Sequence, residues 1–506
     1  MRLTPRLIRW LGALCIGFST SAQATTPWVQ AGDLTARHHI EALHSQGCLK
    51  GVTLSWPISW AALMKGYRLA QAQQPADQAG TCQNAHAAYL QKALEATRQA
   101  PSGAQLTVGG ATQEPLYTSF ATQADDDVAT QLALYRMGEH WAANLSVGYV
   151  DGERDDTHLR FDDSYLAGIV GNWQLGVGAI DRWWGPGWQS SLALSNNARP
   201  VPGLWLSRHM PLASESPWLR WIGPWDLQLF AGQLEDDRAI PEARLLGARF
   251  VFSPLDSLQI GLTRLAQWGG EGRPQDLDAF WNAVIGRDNG QTSGLGEGQD
   301  PSNQVAGFDF RVSMTLGGVP VGVYGQFMGE DEAGGLPSKF SSLAGLDMVT
   351  GLGHGSQRFF LEATETVAGS WLSERRFNTA LEHGTYRSGF RHYGRTLTST
   401  WESDARAVTL GIQQYFRNGV TVGLNLSRAT LNQDGKVRAV VTEDGAAPLQ
   451  SVEEQDISVA EVRLQHPLLG GKLDWLLSAT DEPVETVFEE RERFTAGLQW
   501  TRPISW

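Results

Sequence analysis

The sequence is poor in cysteine, in positive charge and in long apolar runs, and each shortage excludes a class of protein. Three cysteines in 506 residues are too few for a disulfide-rich secreted scaffold. Acidic residues number 54 against 40 basic ones, giving a formal charge of -14, and phosphate contacts need lysine and arginine, so nucleic acid is not an expected partner. The apolar run Leu11–Phe18 is shorter than the roughly 20 residues of a membrane-spanning helix.

Residues 1–24 have the pattern of a secretory signal peptide. Three arginines precede the apolar run, and residues 22–24 form the small-x-small cleavage site Ala-Gln-Ala. The mature chain then keeps two cysteines, Cys48 and Cys82. Because export leads to an oxidising compartment, we predict a Cys48–Cys82 disulfide, with two buried free thiols as the alternative.

Helix-like spacing of apolar residues predicts a small three-helix bundle in residues 25–103. Asp33 is a suitable N-cap for the first helix and Gly47 a suitable stop. Pro57 is expected in the first turn of the second helix. A bundle of this size is marginal alone, and the predicted disulfide would stabilise it.

In residues 104–506 the hydrophobic period changes to two, which indicates β-strands. Gly307–Leu316 and Val420–Ser427 both alternate between apolar residues and small, polar or charged ones. Such strands are typical of an outer-membrane barrel, whose apolar residues face lipid and whose polar residues face the lumen. The sequence therefore predicts an all-β transmembrane outer-membrane β-barrel behind the helical segment.

The end of the chain supports the barrel and its length gives the strand number. Counting back by twos from Trp506 to Phe494, all residues but Arg502 are apolar, and a last strand ending in an aromatic resembles the assembly signal of bacterial outer-membrane barrels. At roughly 22 residues per strand with its connection, about 18 antiparallel strands are expected. Four irregular stretches are predicted to be extracellular or inward loops: Gly269–Asn303, Gly329–Ser356, Trp371–Ser403 and Asn432–Gln455.

Three segments resemble the signatures of the capsule assembly protein Wzi family. They are DRWWGPGWQSSLALSNNARPVPGL from Asp181, RFFLEATETVAG (Arg358–Gly369) and YRSGFRHYGR (Tyr386–Arg395). The order of signal, helical segment and barrel also matches, so the resemblance covers essentially the whole mature chain. It implies an outer-membrane barrel with a periplasmic helical bundle that attaches or organises capsular polysaccharide, as a lectin and not as an enzyme. The predicted disulfide is not part of this resemblance.

The tryptophan motif has three possible roles. Trp183, Trp184 and Trp188 flank a Gly-Pro-Gly that interrupts a strand. Their rings could pack the interior, stack on sugar rings, or form part of an aromatic belt at the membrane surface. The polar residues that follow suit either a turn or hydrogen bonding to sugar hydroxyls, namely Asn196, Asn197 and Arg199.

A basic stretch provides a second group of candidate polysaccharide-binding residues. It comprises Arg387, Arg391, Tyr393 and Arg395, with His392 among them. Arginine can grip the carboxylate of an acidic sugar with two parallel hydrogen bonds. The alternative is that these arginines pair with acids inside the barrel, such as Glu362 and Glu365.

The sequence favours a binding protein over an enzyme. Glu362 and Glu365 could suggest a glycosidase pair, but residues three apart on a strand point to opposite faces. Neither Gly-x-Ser-x-Gly nor His-Glu-x-x-His occurs. His38 and His39 are expected on the surface of the first helix, and no metal-ligand spacing stands out. We therefore predict no catalytic site, no cofactor and no metal.

The expected function is attachment of capsular or extracellular polysaccharide at the cell surface. A passive outer-membrane channel for sugars or oligosaccharides is the alternative. Expected partners are the polysaccharide and outer-membrane lipid, with the export machinery or peptidoglycan as candidates at the periplasmic bundle. A monomer is expected, because a closed barrel has no free edge.

Overall fold

The computed structural model describes most of the chain. The described residues are 26–75, 80–121, 128–152, 154, 157–276, 278, 280–281, 302–330, 339–351, 353, 355–369, 374–379 and 381–505. The predicted signal peptide, Trp371 and Trp506 lie outside them.

Among the described residues, three helices precede the barrel, as predicted: α1 (Leu34–Ser45), α2 (Trp60–Ala72) and α3 (Ala85–Gln99). The side chain of Asp33 caps α1 by accepting a hydrogen bond from the backbone of Ala36, and Gly47 has the positive φ typical of a residue just past a helix. None of the described helices is long and apolar enough to cross a membrane.

The prediction for Pro57 was wrong. Helix α2 begins at Trp60, after the N-cap Ser59. The backbone on both sides of Pro57 is extended instead, because Ser55–Trp56 pairs with Trp183–Trp184 and Ile58–Ser59 pairs with Trp28–Val29. The N-terminal segment is thus hydrogen-bonded to the interior of the barrel before α2 starts.

The barrel wall is a closed antiparallel sheet of 18 strands, which confirms the predicted fold class and strand number. Leu159–Arg160 and Tyr165–Val170 both pair with the same neighbour, so they form one interrupted wall strand. The last strand pairs with the first and closes the barrel. The wall strands, numbered β1 to β18, are Ser102–Ala111, Val128–Met137, Trp141–Asp151, Tyr165–Val170, Trp173–Gly178, Gly203–Arg208, Trp225–Gln233, Arg244–Leu255, Leu258–Trp268, Ser302–Leu316, Val319–Glu330, Phe340–Thr350, Gly355–Glu365, Arg406–Phe416, Thr421–Leu431, Gln455–Leu468, Gly471–Thr480 and Phe494–Ser505.

The two faces of the wall follow the alternation in the sequence. In β10, Phe308 is 41% exposed on the outer surface, whereas the next residue, Asp309, is fully buried inside. Leu361 and Glu362 in β13 show the same contrast. Apolar residues therefore cover the outside of the barrel and polar residues line its interior, as in a barrel surrounded by lipid.

The two ends of the barrel differ. Tight turns such as 256–257, 317–318 and 469–470 lie at one end, which we call the short-turn end. The described residues of the segments 366–405 and 432–454 lie at the other, the long-loop end. The helices pack at the short-turn end, where the Thr315 hydroxyl donates a hydrogen bond to the Ser45 carbonyl oxygen, 3.1 Å away.

The helices and the barrel share one hydrophobic core. It joins Ile40 and Tyr67 of the helices to Trp184 in the lumen and Leu343 on the wall. Cys48 and Cys82 are joined by a disulfide with a Cα–Cα distance of 5.4 Å. His38 is fully buried and His39 half-buried, contrary to the expected surface positions, because α1 lies against the barrel.

Candidate functional site

The tryptophan motif crosses the lumen. The indole Nε1 of Trp184 donates a hydrogen bond to Gln228 Oε1 on β7, at 2.9 Å. The backbone N–H of Trp188 donates to Glu362 Oε2 on β13, at 2.7 Å. Residues 183–197, which we call the plug segment, are therefore bonded to separate parts of the wall.

Further contacts extend this bracing around the barrel. The backbone N–H of Leu192 donates to Gln326 Oε1 on β11, at 2.8 Å. Asn425 on β15 donates from Nδ2 to Gln189 Oε1, at 3.2 Å. The plug segment thus touches wall strands from β7 round to β15 and occupies the interior.

The three indoles of the motif are enclosed. Trp183, Trp184 and Trp188 are each exposed by 1% or less. The guanidinium groups of Arg37 and Arg358 each lie 4.2 Å from the Trp188 ring centroid, so cations of α1 and of the wall stack on this ring. Of the three roles considered for the motif, this geometry is that of interior packing.

Glycine is required on both sides of Pro186 because the backbone of the motif lies very close to neighbouring atoms. Gly185 has a φ of +153°, and a Cβ on it would lie 2.8 Å from the side chain of Gln326. A Cβ on Gly187 would lie 2.1 Å from the Ser190 carbonyl oxygen. Side chains at these two positions would push the plug segment away from the wall.

The polar end of the plug segment bonds to other interior segments. Asn196 Nδ2 donates to the Phe120 carbonyl oxygen at 2.6 Å, and Asn197 Oδ1 accepts from the Thr118 backbone at 3.1 Å. Both asparagines are buried. A role in glycan binding stays a prediction for them, and these hydrogen bonds join the plug segment to residues 118 and 120.

Arg199 and Tyr393 form a pair that remains partly accessible. The Arg199 guanidinium lies 4.3 Å from the Tyr393 ring centroid and also binds Asp162, with Nε to Oδ2 at 2.9 Å. Both side chains are half-buried at the long-loop end. Within the two predicted motifs, Arg199 and Tyr393 are thus candidate residues that are not fully buried.

Most of the basic stretch is internal. Arg391 is buried and binds Glu382 and Glu402, each at 2.7 Å. Arg395 is buried and binds Glu114 at 2.9 Å. The arginines thus pair with acids, but these acids belong to the loops and are not the wall residues that the sequence suggested.

Two acids of the interior loops, Glu114 and Glu235, are held ionised. Burial acts to raise the pKa of Glu114, but Arg154 and Arg395 outweigh it and lower this pKa to about 2. Burial likewise opposes ionisation of Glu235, and Arg238 and His392 lower its pKa to about 2. These carboxylates contribute to loop structure as paired anions.

Glu362 and Glu365 have structural partners of their own. Glu362 accepts hydrogen bonds from the backbone of residues 188–190 and from the Tyr324 hydroxyl, 3.1 Å away. Glu365 binds Arg406 and also accepts from Gln433 at 3.0 Å. Both carboxylates therefore fix neighbouring segments of the chain to the barrel wall.

Arg387 lies on the surface at the long-loop end. Its carbonyl oxygen accepts from the Val440 backbone at 3.0 Å, which brings the loop with the exposed Arg438 alongside. The Tyr386 hydroxyl donates to the Gly269 carbonyl oxygen at 3.0 Å, tying the same loop to the stretch that follows β9.

That stretch carries an exposed tryptophan. Trp281 is 57% exposed and packs its ring 5.5 Å from Phe280, which in turn contacts Trp268 at the end of β9. Trp281, Arg387 and Arg438 are exposed residues of the loops at the long-loop end, and we refer to this set of three residues as the loop-end patch. Trp281 and Arg438 were not among the candidate residues predicted from the sequence, although both lie in irregular stretches predicted to be loops.

Together, the apolar outer face, the closed wall and the braced interior define an outer-membrane β-barrel whose lumen is occupied by its own chain. Residues 97–496 match the family described as capsule assembly protein Wzi, and the chain belongs to this family. It is 33% identical to the "Uncharacterized 55.8 kDa protein in cps region" of Klebsiella pneumoniae over 353 residues, which are 69% of this chain and 67% of that protein.

A solved structure gives the same architecture. Wzi of Escherichia coli is described as an outer membrane protein involved in group 1 capsule assembly and as a carbohydrate-binding β-barrel. The match covers 95% of this chain and 100% of that one, with 26% sequence identity and a TM-score of 0.79. The similarity therefore includes the helices as well as the barrel.

Proposed function

We propose that this protein is a lectin-like, non-enzymatic outer-membrane protein that holds capsular or extracellular polysaccharide at the cell surface. The observation that carries the proposal is the similarity, over almost the whole chain, to a carbohydrate-binding β-barrel involved in capsule assembly. Membership of the Wzi family supports the same function.

The asymmetry of the barrel supports an orientation. Outer-membrane barrels have short periplasmic turns and longer extracellular loops. The long-loop end then faces outward, and helices α1 to α3 face the periplasm, where export machinery or peptidoglycan would be within reach. Polysaccharide at the cell surface would meet the long-loop end first.

The loop-end patch has suitable chemistry for an acidic polysaccharide. The flat ring of Trp281 can stack on the apolar face of a pyranose, and the guanidinium groups of Arg387 and Arg438 can bind sugar carboxylates. Each exposed contact is weak, but a polymer presents many repeats, so that several weak contacts act together. The buried tryptophans of the plug segment would contribute indirectly, by supporting the loops.

The alternative of a passive channel has less support. The plug segment is bonded to the wall at Gln228, Gln326 and Glu362, and its indoles are enclosed by other side chains. A closed interior of this kind opposes the passage of sugars. Single-channel recordings in planar bilayers should therefore show little conductance.

The test is retention of polysaccharide by the purified full-length protein in detergent. Acidic and neutral polymers are compared with wild type, with the double variant Arg387→Ala and Arg438→Ala, and with Arg417→Ala, which removes an exposed arginine at the short-turn end. Since an exposed ion pair contributes about 1 kcal/mol at most, we expect the double variant to lose roughly tenfold in affinity for the acidic polymer. Arg417→Ala should bind as wild type does.

The outcomes separate the function from the site. Equal binding by the double variant would keep the function and contradict the assignment to the two arginines, and Trp281→Ala would be measured next. If the folded wild type retains no polymer of either kind and conducts ions steadily, the channel alternative replaces the lectin.

A further inference from the structure

Three histidines meet at the short-turn end. His38 and His39 come from α1, and His86 comes from α3. The Nδ1 atoms of His39 and His86 are 2.8 Å apart, and one ring nitrogen from each of the three residues lies within 4.8 Å of the others. The grouping is invisible as a sequence spacing, because His86 lies 47 positions after His39.

Ring stacking holds two of these imidazoles in place. His38 stacks on Tyr415 of β14, with ring centroids 3.9 Å apart and ring planes 10° apart. His39 stacks on Tyr89 of α3 at 4.2 Å. The site is therefore built from both helices and from the barrel wall, and its rings have little freedom to turn away.

The hydrogen bonds define the protonation of the rings. Arg358 Nε donates to His38 Nδ1 at 3.3 Å, so the single proton of a neutral His38 ring is on Nε2, which faces Ser356 Oγ at 2.8 Å. Nδ1 is then the nitrogen of His38 that could bind a metal ion, which would take the place of the Arg358 hydrogen bond. Between His39 and His86 one nitrogen donates and the other accepts. A pair of neutral imidazoles satisfies that contact, whereas two protonated rings would repel each other.

The surroundings also favour neutral rings. Burial, followed by the charge of Arg358, lowers the pKa of His38 well below its ordinary value. Burial, with the same arginine, lowers the pKa of His86 to about 4. Neutral imidazole is the form that coordinates metal ions.

We propose that His38, His39 and His86 form a binding site for a divalent transition-metal ion of the class that imidazole nitrogen prefers, such as Zn²⁺. Two nitrogens bound to one tetrahedral zinc ion are about 3.3 Å apart, a separation within the range found among the three rings. Three protein ligands leave the fourth position to water.

The nearby charges predict a modest affinity. Arg358 approaches the site, and its charge is partly balanced by Asp347 and by Glu41, the latter at 3.6 Å. Arg311 shares the same two carboxylates. Because positive charge remains beside the histidines, we expect an exchangeable ion and not a permanently bound structural zinc.

An ion at this position would fasten the helices to each other. It would link α1 to α3, next to the wall strands β13 and β14 that carry Arg358 and Tyr415. The disulfide Cys48–Cys82 joins the chain after α1 to the chain before α3. Metal and disulfide would thus be two separate links between the same helices, and metal would raise the temperature at which the helices detach.

The experiment uses the full-length protein, free of any histidine tag and stripped with a chelator. After equilibration with Zn²⁺ and removal of free ion, bound zinc is measured by mass spectrometry for wild type, His86→Gln and the control His140→Gln, whose histidine is exposed in the turn 138–140. We expect one zinc per chain in wild type and in the control. His86→Gln should bind about tenfold more weakly or worse.

A second measurement needs no variant. Pulsed electron paramagnetic resonance of the Cu²⁺-loaded wild type counts the coordinating imidazoles, and three are expected. Fewer than three, no zinc bound by the folded wild type, or equal zinc binding by wild type and His86→Gln would each overturn the proposal. Because glycan retention is measured separately, failure of the metal site would leave the proposed function untouched.

Discussion

The outer face of the barrel wall and the barrel interior differ in how strictly each side chain depends on one particular neighbour. On the outside, Leu361 and its equivalents meet only an apolar surrounding, and any apolar side chain of similar size would serve. Inside, Arg249 and Asp309 are fully buried and bind each other at 2.7 Å. A buried charge without its partner costs several kcal/mol, so each interior residue depends on one particular neighbour.

Because of this difference, we expect substitutions to be tolerated on the outer face of the wall and to be destabilising in the interior. Wall strands are held together by backbone hydrogen bonds that every residue except proline can make. The plug segment has no such sheet beyond Trp183–Trp184, and it is held mainly by side chains of the wall such as Gln326 and Glu362. Substitutions on the two faces of one strand should therefore have unequal effects.

The largest expected effect is that of Glu362→Ala. The change leaves the Tyr324 hydroxyl and the backbone N–H groups of residues 188–190 without their acceptor in a buried place. We expect the free energy of unfolding to fall by about 3 kcal/mol. Urea unfolding in lipid vesicles measures this value, and planar-bilayer conductance should rise as the plug segment loosens.

Leu361→Ala is the matched control for that change. Leu361 is the preceding residue of β13 and points to the outer surface. Its truncation leaves no enclosed cavity, so a loss below about 1 kcal/mol and unchanged conductance are expected. If both variants lower the free energy of unfolding equally, the expected difference between the outer face and the interior is wrong.

Acid should loosen the interior before the wall. The folded protein keeps Glu114 and Glu235 ionised because their pKa values are about 2, whereas an unfolded glutamate takes up a proton below about pH 4.5. The unfolded state therefore binds more protons between pH 4.5 and 2, and stability is lost progressively as the pH falls through this window.

Two optical signals distinguish the regions. Near-ultraviolet circular dichroism follows enclosed rings such as Trp183 and Trp188, and far-ultraviolet circular dichroism follows the strands. On acidification the first signal should decline at higher pH than the second. In Glu114→Gln the part of the decline between pH 4.5 and 2 should shrink, and an unchanged profile would contradict the role given to Glu114.

The wall could be predicted from the sequence and the interior could not. Alternation in Gly307–Leu316 identified the outward and inward faces correctly, because side chains on a strand point to opposite sides in turn. The partners of Arg391 and Arg395 lie elsewhere in the chain, and no local period encodes them. The same holds for the histidines of α1, whose burial depends on the wall beside them.

Motif recognition gave the family but not the accessible surface. The tryptophan motif and the basic stretch are distinctive because they build the interior, so most of their residues are enclosed. Trp281 and Arg438 lie in irregular stretches where composition alone carries no signal of exposure. An exposed position has few neighbours to constrain its sequence, which is why the loop-end patch emerged only from the three-dimensional arrangement.

The smallest expected effect concerns an exposed ion pair near the long-loop end. Arg428 on β15 lies 3.2 Å from Asp481, and the side chain of Arg428 is 59% exposed. Water replaces its contacts when the arginine is removed, and Asp481 keeps the hydrogen bond from the Ser458 backbone. Arg428→Ala should therefore change the free energy of unfolding by less than about 1 kcal/mol, and less still at high salt. Arg391→Ala removes the cation that pairs with two buried carboxylates, which then repel each other. It should lower the free energy of unfolding several times more in the same urea titration. If the exposed and the buried arginine contribute equally to the free energy of unfolding, burial does not explain a larger contribution from the interior ion pairs.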